Sequence, residues 1–409
     1  MQDNPQLSEL DYKKKYSLKQ MELDSLLEIT QAINNNMSEK NLYKIYEFTI
    51  RANLNVSRLL LCVKEGNNWD RKVEFGVDLE SGFKIDKSFY EVDEVTPVTI
   101  AGQKGTGFQW VIPVKHKKKQ LAVVLVAQKE EDEEQLNITF LQAISNLIIV
   151  AIENKRLART QLEEEAFKKE LEIAKGVQKL LFPEVLPNGH RLKMQASYLP
   201  HHSIGGDYYD YIPINANQFL LCIADVSGKG IPAAIMMSNF QASLRTLLRQ
   251  TSNLTEIVEA LNFQIMENSK GDQFITFFGA IYDHTLNTLV YVNSGHNPPF
   301  MVDGKGEFKA LTEGSTVLGA FEELPFVNEG FIDDLEGFTL LAYTDGLTET
   351  ENTQGVELGS EPIEKYFEEN FNKPLEKIHE DVLKIVDDFR GSKPYRDDIT
   401  LLSCKVETR

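Results

Sequence analysis

Four aspartate-bearing motifs in the C-terminal half of the sequence could do chemistry. They are GGDYYD (205–210), ADVSGKG (224–230), YTDGLTET (343–350) and RDDITLL (396–402). The second and third follow short apolar runs, FLLCIA and FTLLAY, of the kind that form buried strands. The carboxylates of these motifs are therefore expected at rigid strand edges.

Aspartates held in this way suit hard divalent cations, which take oxygen ligands and keep several waters. Two such ions about 3.5–4 Å apart can acidify a bridging water and clamp a phosphoryl group for in-line displacement. The predicted chemistry is hydrolysis of a phosphate ester. For any one motif taken alone, a simple Asp-Gly turn is the favoured interpretation, at better than about even odds, but the ordered set is much harder to explain by turns.

The succession of these motifs, with SGHNPP (294–299) as a fifth, resembles the PPM family of metal-dependent serine/threonine protein phosphatases. The resemblance is to the bacterial branch named for the stage II sporulation phosphatase (SpoIIE) and the stress-response sigma-factor regulators. It covers about residues 184–409. The preceding segment ELEIAKGVQKLLFP (170–183) is similar to the linker end of that branch. An αββα sandwich is the fold that this resemblance implies.

The resemblance also implies the site residues. Asp207 and Asp225 match catalytic metal ligands, with Asp225 bridging two Mn²⁺ or Mg²⁺ ions and the backbone carbonyl of Val226 also coordinating. Asp345 and Asp397 would complete the ligand set.

Further motif residues are secondary candidates. Asp398 and Gly346 are expected to support the site, and Asp210 to make local turn contacts. Ser227 stands where eukaryotic relatives carry a histidine, so a general acid is not identified. His296 could donate a proton or contact substrate, but a structural histidine that fixes the proline-rich turn is favoured about two to one.

The elements that must position these residues divide the chain into four parts. A polar segment (1–20) precedes a first domain (21–155) in which helices, several antiparallel strands and a further helix follow one another. That order resembles GAF domains, small sensor modules. A purely structural dimerisation domain is an equally open alternative. The overall class is α+β.

A helical linker (156–183) joins this domain to the phosphatase-like domain (184–409). Its apolar positions favour a parallel coiled coil and hence a homodimer, with an amphipathic helix lying on its own domain as the alternative. The seam positions are Leu162, Ala166, Ile173, Val177 and Leu180. In the helix that follows Gly230, four side chains are expected to pack inward: Ile235, Met236, Phe240 and Leu244.

Bulk properties exclude some functions. The 409 residues carry a formal net charge of -19 and lack a basic stripe, which disfavours a nucleic-acid partner. No stretch is apolar enough to span a bilayer, and the N-terminus lacks an apolar signal core, so a cytoplasmic protein is expected.

The sequence as a whole predicts a metal-dependent protein serine/threonine phosphatase regulated by its GAF-like domain. By resemblance, its substrate would be a phosphorylated STAS-type anti-sigma-factor antagonist in bacterial partner switching. A small molecule or a protein could supply the signal at the GAF-like domain. The alternative is a catalytically inactive scaffold that binds a ligand and a protein partner; the presence of all four acidic ligands argues against it.

Overall fold

The computed structural model describes residues 5–77, 87–98, 107–117, 119–128, 136–201 and 204–407, with side chains from residue 12 onward. The chain forms two compact units, Met1–Glu165 and Ala166–Arg409. Their boundary falls within one helix of 42 residues, α3 (Ile138–Lys179). None of the helices in the described ranges is long and apolar enough to cross a membrane.

The first unit is an antiparallel sheet with helices on one face. Its strands lie in the order β2-β1-β5-β4-β3. In β1 the side chains alternate: Leu59 and Leu61 pack toward the helices, and Leu60 and Cys62 pack on the other face. The elements before α3 are α1 (Pro5–Asn34), α2 (Glu39–Asn53), β1 (Val56–Glu65), β2 (Asn68–Phe75), β3 (Thr96–Pro97), β4 (Trp110–His116) and β5 (Lys119–Gln128).

The order of helices, antiparallel sheet and helix agrees with the sequence prediction for this unit, whose GAF-like identity stays a prediction. One expectation differs from the structure. The separate polar segment at 1–20 is helical from Pro5, continuous with the rest of α1. The segment carries no regular apolar spacing, so periodicity had no signal for a helix there.

The second unit contains two sheets. One has the order β13-β10-β9-β8-β7, with β14 paired to β10, and the other has the order β12-β11-β15-β16-β6. The strands are β6 (Leu192–Leu199), β7 (Tyr208–Pro213), β8 (Gln218–Val226), β9 (Ile275–Asp283), β10 (Thr288–Ser294), β11 (Phe300–Asp303), β12 (Phe308–Ala310), β13 (Gly314–Ser315), β14 (Gly330–Ile332), β15 (Gly337–Tyr343) and β16 (Ile399–Glu407). The helices are α4 (Ile231–Leu247), α5 (Leu254–Ser269), α6 (Asp345–Thr348), α7 (Glu361–Asn370) and α8 (Leu375–Arg390).

These elements form four layers. In β8, Leu221 and Ile223 pack between the two sheets, whereas Leu220 and Cys222 face α4 and α5. In β16, Leu402 faces the first sheet, and Leu401 packs against α7 and α8. Both strands are buried on both faces, as their continuous apolar runs predict. The result is a helix–sheet–sheet–helix arrangement.

One helix packs differently from the prediction. In α4, Met236, Phe240 and Leu244 are buried as predicted, but Ile235 is exposed. Ala233 and Met237 are also buried. Ile235 and Met237 are both apolar and flank Met236, so the helical spacing of apolar residues did not show which of the two is buried.

The register of the strands brings the motif aspartates to one end of the sandwich. In the first sheet, Tyr208 of β7 pairs with Ala224 of β8. Asp207 and Asp225 are the next residues at that end of the pair. In the second sheet, the pairing of β15 with β16 places Asp345 and Asp397 beyond the paired ends in the same way.

A buried histidine links α8 to the second sheet. The Nδ1 atom of His379 lies 2.8 Å from the Ser197 hydroxyl and its Nε2 atom lies 2.8 Å from the Ser403 hydroxyl. Burial lowers the pKa of His379 to about 4. Its imidazole is therefore neutral in the folded protein at pH values where an unfolded histidine is already protonated.

We expect this histidine to make folding sensitive to acid. Because the unfolded side chain has a pKa near 6.5, the unfolded state binds one more proton than the folded state between about pH 6.5 and pH 4. The free energy of unfolding should fall as the pH is lowered through that window and level off below it. Denaturant titrations at several pH values should show a shallower pH dependence for His379→Gln than for the wild type. Parallel pH profiles for the two proteins would contradict this prediction.

Candidate active site

Asp207 sits where the two sheets meet. It immediately precedes β7 and is almost completely buried. Its Oδ2 atom accepts a hydrogen bond of 2.9 Å from the Thr344 hydroxyl and another from the Thr400 hydroxyl. The two threonines come from the end of β15 and from β16, so the second sheet holds a carboxylate of the first.

Asp225 lies beside it at the end of β8. Burial, followed by the charge of Asp345, raises the pKa of Asp225 to about 7, against a hydrogen bond with Asp207 that lowers it. The pKa of Asp207 is also raised, by burial and then by the charge of Asp225. Desolvation and like charge both disfavour ionised carboxylates. Ionisation of both Asp207 and Asp225 therefore costs free energy.

Asp345 begins α6 directly after β15. Its pKa is raised to about 6 by burial and by the charges of Glu349 and Asp397, with Lys229 acting in the opposite direction. The following residue, Gly346, has a spatial reason to be glycine. A Cβ atom there would lie 2.1 Å from the Asp398 carbonyl oxygen, so only glycine lets the backbone before β16 approach the Asp345 turn.

Asp397 is the most accessible of the four aspartates. Its Oδ1 atom accepts a hydrogen bond of 2.9 Å from the backbone N–H of Asp398. Its Oδ2 atom lies 2.7 Å from the ammonium of Lys229, in the loop after Asp225. This is an ion pair between two of the motifs.

Asp398 fastens the loop that carries Asp207. Its two carboxylate oxygens accept hydrogen bonds from the backbone N–H groups of His201, at 2.7 Å, and Gly206, at 2.9 Å. A Cβ atom on Gly205 would overlap the Asp398 carboxylate, and one on Gly206 would lie 2.9 Å from the Val226 carbonyl oxygen. The two glycines therefore let this loop pack against both groups, and the geometry gives Asp398 a supporting position.

His296 lies two residues after the end of β10. It is buried, its Nδ1 atom lies 2.8 Å from the Thr276 hydroxyl, and its backbone N–H donates to the Asn293 side chain. Burial lowers its pKa to about 3. A histidine held neutral in this way lacks the proton that a general acid must donate near neutral pH, so the arrangement supports the structural interpretation.

Asp210 makes a buried ion pair rather than the local turn contacts expected from the sequence. Its carboxylate is fully buried and accepts bonds of 2.8 and 3.0 Å from Nε and Nη2 of Arg245 on α4. The Tyr208 hydroxyl and the Tyr211 backbone N–H also donate to it. The pair ties α4, which follows the Asp225 loop, to β7, the strand that Asp207 immediately precedes.

Sequence reasoning missed Arg245, Thr344 and Thr400 as supports of the site. The two threonines lie inside recognised motifs, next to candidate ligands, and that adjacency was the available signal. Arg245 had none, because its partner is 35 residues away and the pairing exists only once α4 packs on β7.

The donor set has the chemistry that a hard cation requires. The groups are carboxylates with one nearby backbone carbonyl, all oxygen donors, and their mutual repulsion is relieved by positive charge. Within the ranges that the structure describes, no three His, Cys, Asp or Glu side chains are already gathered tightly enough to hold an ion. Four carboxylates nevertheless influence one another electrostatically: Asp207, Asp225, Asp345 and Asp397.

Comparison with known proteins agrees with this chemistry. Residues 215–407 match the family model of stage II sporulation protein E (SpoIIE). The chain is 29% identical over 245 residues to phosphoserine phosphatase RsbU of Bacillus subtilis, covering 58% of this chain and 70% of that relative. Phosphoserine phosphatase RsbP of the same organism is 28% identical over 184 residues, which cover 44% of this chain and 45% of RsbP.

A solved structure shows the same fold. The SiaA-PP2C domain of Pseudomonas aeruginosa superposes with a TM-score of 0.52 at 20% sequence identity. The match covers 59% of this chain and 97% of that domain. The two-sheet unit of the present chain therefore has a PP2C-like fold.

We expect the two partners of the buried ion pair to differ in their effect on stability. Replacing Arg245 with methionine leaves the fully buried Asp210 carboxylate without its cation, and such a loss typically costs about 3 kcal/mol or more. Asp210→Asn leaves an arginine that is partly exposed and can be hydrated, so its cost should be smaller. Denaturant unfolding of both variants measures the difference. Equal stability of Arg245→Met and the wild type would show that the pair contributes nothing to the fold.

Proposed function

We propose that residues 215–407 form a SpoIIE-type PP2C phosphatase domain, which hydrolyses phosphoserine or phosphothreonine on a protein substrate with two divalent metal ions. The observation that carries the proposal is the set of four aspartates that the strand register brings to one end of the sandwich. The substrate class is supported by the two relatives that are named phosphoserine phosphatases.

The groups that would hold Mn²⁺ or Mg²⁺ are those identified from the sequence: Asp207, Asp225, the Val226 carbonyl, Asp345 and Asp397. Bound ions would supply an acidified water as nucleophile and neutralise charge on the phosphoryl group. The protein holds these proposed ligands in place by its own hydrogen bonds and ion pairs, which were described above.

Three of these supports matter most. Thr344 and Thr400 fix the Asp207 carboxylate from the opposite sheet. Asp398 holds the loop before Asp207 through two backbone N–H groups. Because the loop and the carboxylate are both held by hydrogen bonds from the second sheet and the residue that precedes β16, Asp207 cannot rotate freely toward solvent when its charge is unbalanced.

The N-terminal unit is proposed to regulate this domain as a GAF-like sensor, through α3. Gln178 on α3 donates a hydrogen bond of 2.8 Å to the Gly205 carbonyl, two residues before Asp207. Earlier on the same helix, Phe167 and Leu171 lie beside the loop and helix start at residues 229–232. Movement of this helix would therefore reach both loops that carry aspartates.

A homodimer through α3 is the proposed means of transmission. Four of the predicted seam side chains are exposed in the single chain: Leu162 by 66%, Ile173 by 69%, Val177 by 58% and Leu180 by 82%. An apolar stripe of this kind at coiled-coil spacing is stabilised by pairing with a second helix. The exposure favours a coiled coil over a helix whose seam lies on its own domain.

A phosphorylated STAS-type antagonist is the proposed physiological substrate, on the strength of the motif resemblance. The cytoplasmic location expected from the sequence stays a prediction. Assay of phosphorylated antagonist proteins, with generic phosphoserine peptides as controls, would test the substrate separately from the chemistry.

We expect hydrolysis of a generic phosphoester such as p-nitrophenyl phosphate to require Mn²⁺ or Mg²⁺. Excess EDTA should abolish turnover, and excess Mn²⁺ should restore it. Asp225→Asn and Asp345→Asn should each lower kcat by about two orders of magnitude or more, because the loss of one charged ligand weakens an ion that stabilises the transition state. Circular dichroism should show that both variants stay folded.

The matched control is Asp388→Asn, on the exposed face of α8. Its turnover should equal that of the wild type. Undiminished activity in excess EDTA, or full activity of Asp225→Asn, would overturn the metal mechanism.

The dimer is tested at two seam positions. Replacing Leu162 and Val177 together with aspartate should dissociate the dimer, since two buried charges would face their own copies across the seam. Light scattering measures the mass, and the phosphatase assay measures the coupled change in activity. The control pair, Thr160→Asp with Lys179→Asp, lies two residues from each test position on other faces of α3 and should stay dimeric. A monomeric wild type would rule out the model, as would a monomeric seam variant with unchanged activity.

A further inference from the structure

Lys229 is a cation that the proposed mechanism does not use. It lies in the loop between β8 and α4, four residues after Asp225. Its ammonium is 2.7 Å from Oδ2 of Asp397 and donates a hydrogen bond of 2.7 Å to the backbone carbonyl of Arg396. The Asp397 carboxylate and the Arg396 carbonyl thus hold the Lys229 ammonium in contact with a proposed metal ligand.

The other cations of this region have different partners. The guanidinium of Arg396 pairs with Glu351, and the ammonium of Lys393 lies 2.7 Å from the same carboxylate. Among the ion pairs of the described residues, Lys229 with Asp397 is the one that involves a proposed ligand. Lys229, Lys393 and Arg396 therefore all lie near the proposed site, but of these three it is Lys229 that contacts a proposed ligand.

We propose that Lys229 competes with a divalent cation for Asp397 and so sets the affinity of the site. The inference depends on the proposed metal-dependent function. An ammonium in contact with a carboxylate oxygen repels a divalent ion that approaches the same carboxylate, which weakens binding of the ion. Displacement of Lys229 from Asp397 would free Oδ2 for the ion and remove this repulsion.

The local structure allows the side chain to leave. Lys229 is about half exposed, and its flanking residues Gly228 and Gly230 both have positive φ angles, 93° and 74°. A Cβ atom on Gly230 would meet nothing within 4 Å. The ammonium sits on a flexible four-carbon stem in an open loop, so exchange of partners needs no movement of the sheets.

The consequence is a site whose metal affinity is lower than its carboxylates alone would give. Loss of Lys229 removes a competitor at Asp397 and leaves the four aspartates in place. An exposed ion pair is worth up to about 1 kcal/mol, so the expected gain in affinity is up to about fivefold.

The test is direct Mn²⁺ binding to the full-length protein, followed by the electron paramagnetic resonance signal of the free ion. Lys229→Met should bind Mn²⁺ about three- to fivefold more tightly than the wild type. Lys229→Arg, which keeps a cation at this position, should stay within about twofold of the wild type. Arg396→Gln, which removes a neighbouring charge that pairs with Glu351, should also stay within about twofold.

A second pair of variants distinguishes direct contact between Lys229 and Asp397 from long-range repulsion between Lys229 and a bound ion. In the Asp397→Asn background, Lys229→Met should leave the Mn²⁺ affinity unchanged, because the shared partner is already gone. An equal gain in that background, an equal gain in Arg396→Gln, or no gain in Lys229→Met would overturn the competition. Absence of Mn²⁺ binding in every protein, the wild type included, would instead refute the proposed metal site itself.

Discussion

Repulsion between buried carboxylates is the constraint on which the rest of this phosphatase domain depends. Asp207 and Asp225 lie side by side. Burial and the charge of Asp225 make ionisation of Asp207 more costly, and burial and the charge of Asp345 do the same for Asp225. A fold can keep such a pair only if other groups hold the side chains in place. The hydrogen bonds of Thr344 and Thr400 to Asp207 do so from the opposite sheet. This unrelieved charge is the reason why we propose a cation site here, because a divalent ion would remove the cost of keeping the carboxylates ionised.

The supporting contacts also explain several residues that do no chemistry themselves. Gly205, Gly206 and Gly346 stand where a Cβ atom would collide with the Asp398 carboxylate or with a backbone carbonyl. Arg245 pairs with buried Asp210 and so fixes α4 against β7. Because Asp207 immediately precedes β7 and α4 follows the Asp225 loop, this ion pair constrains the positions of two proposed ligands from outside the site. Stability and site geometry are therefore coupled in this domain.

We propose different roles for two faces of the long helix α3. Gln178 contacts the loop that leads to Asp207, while Val177 and Leu180 next to it are exposed. A helix that is held to the catalytic domain on one face and open to a partner on another can pass a change of pairing to the loops of the site. Lys229 lies in the second of those loops. The proposed competition at Asp397 therefore places an adjustable contact where such a movement would arrive.

The sequence by itself determined the strands, the motif aspartates and the helical linker, because these follow from local patterns. Continuous apolar runs predict strands buried on both faces, and aspartates that end such runs must emerge at the sheet edge. Three features were decided only by the tertiary structure: the ion pair of Asp210 with Arg245, that of Lys229 with Asp397, and the inward position of Met237 instead of Ile235. The start of α1 at Pro5 was also not predicted, because a polar helix carries no regular spacing of apolar residues. In the ion pairs, partners 35 and 168 residues apart meet only after sheets and helices have packed. A local pattern holds no information about which distant charge will lie opposite.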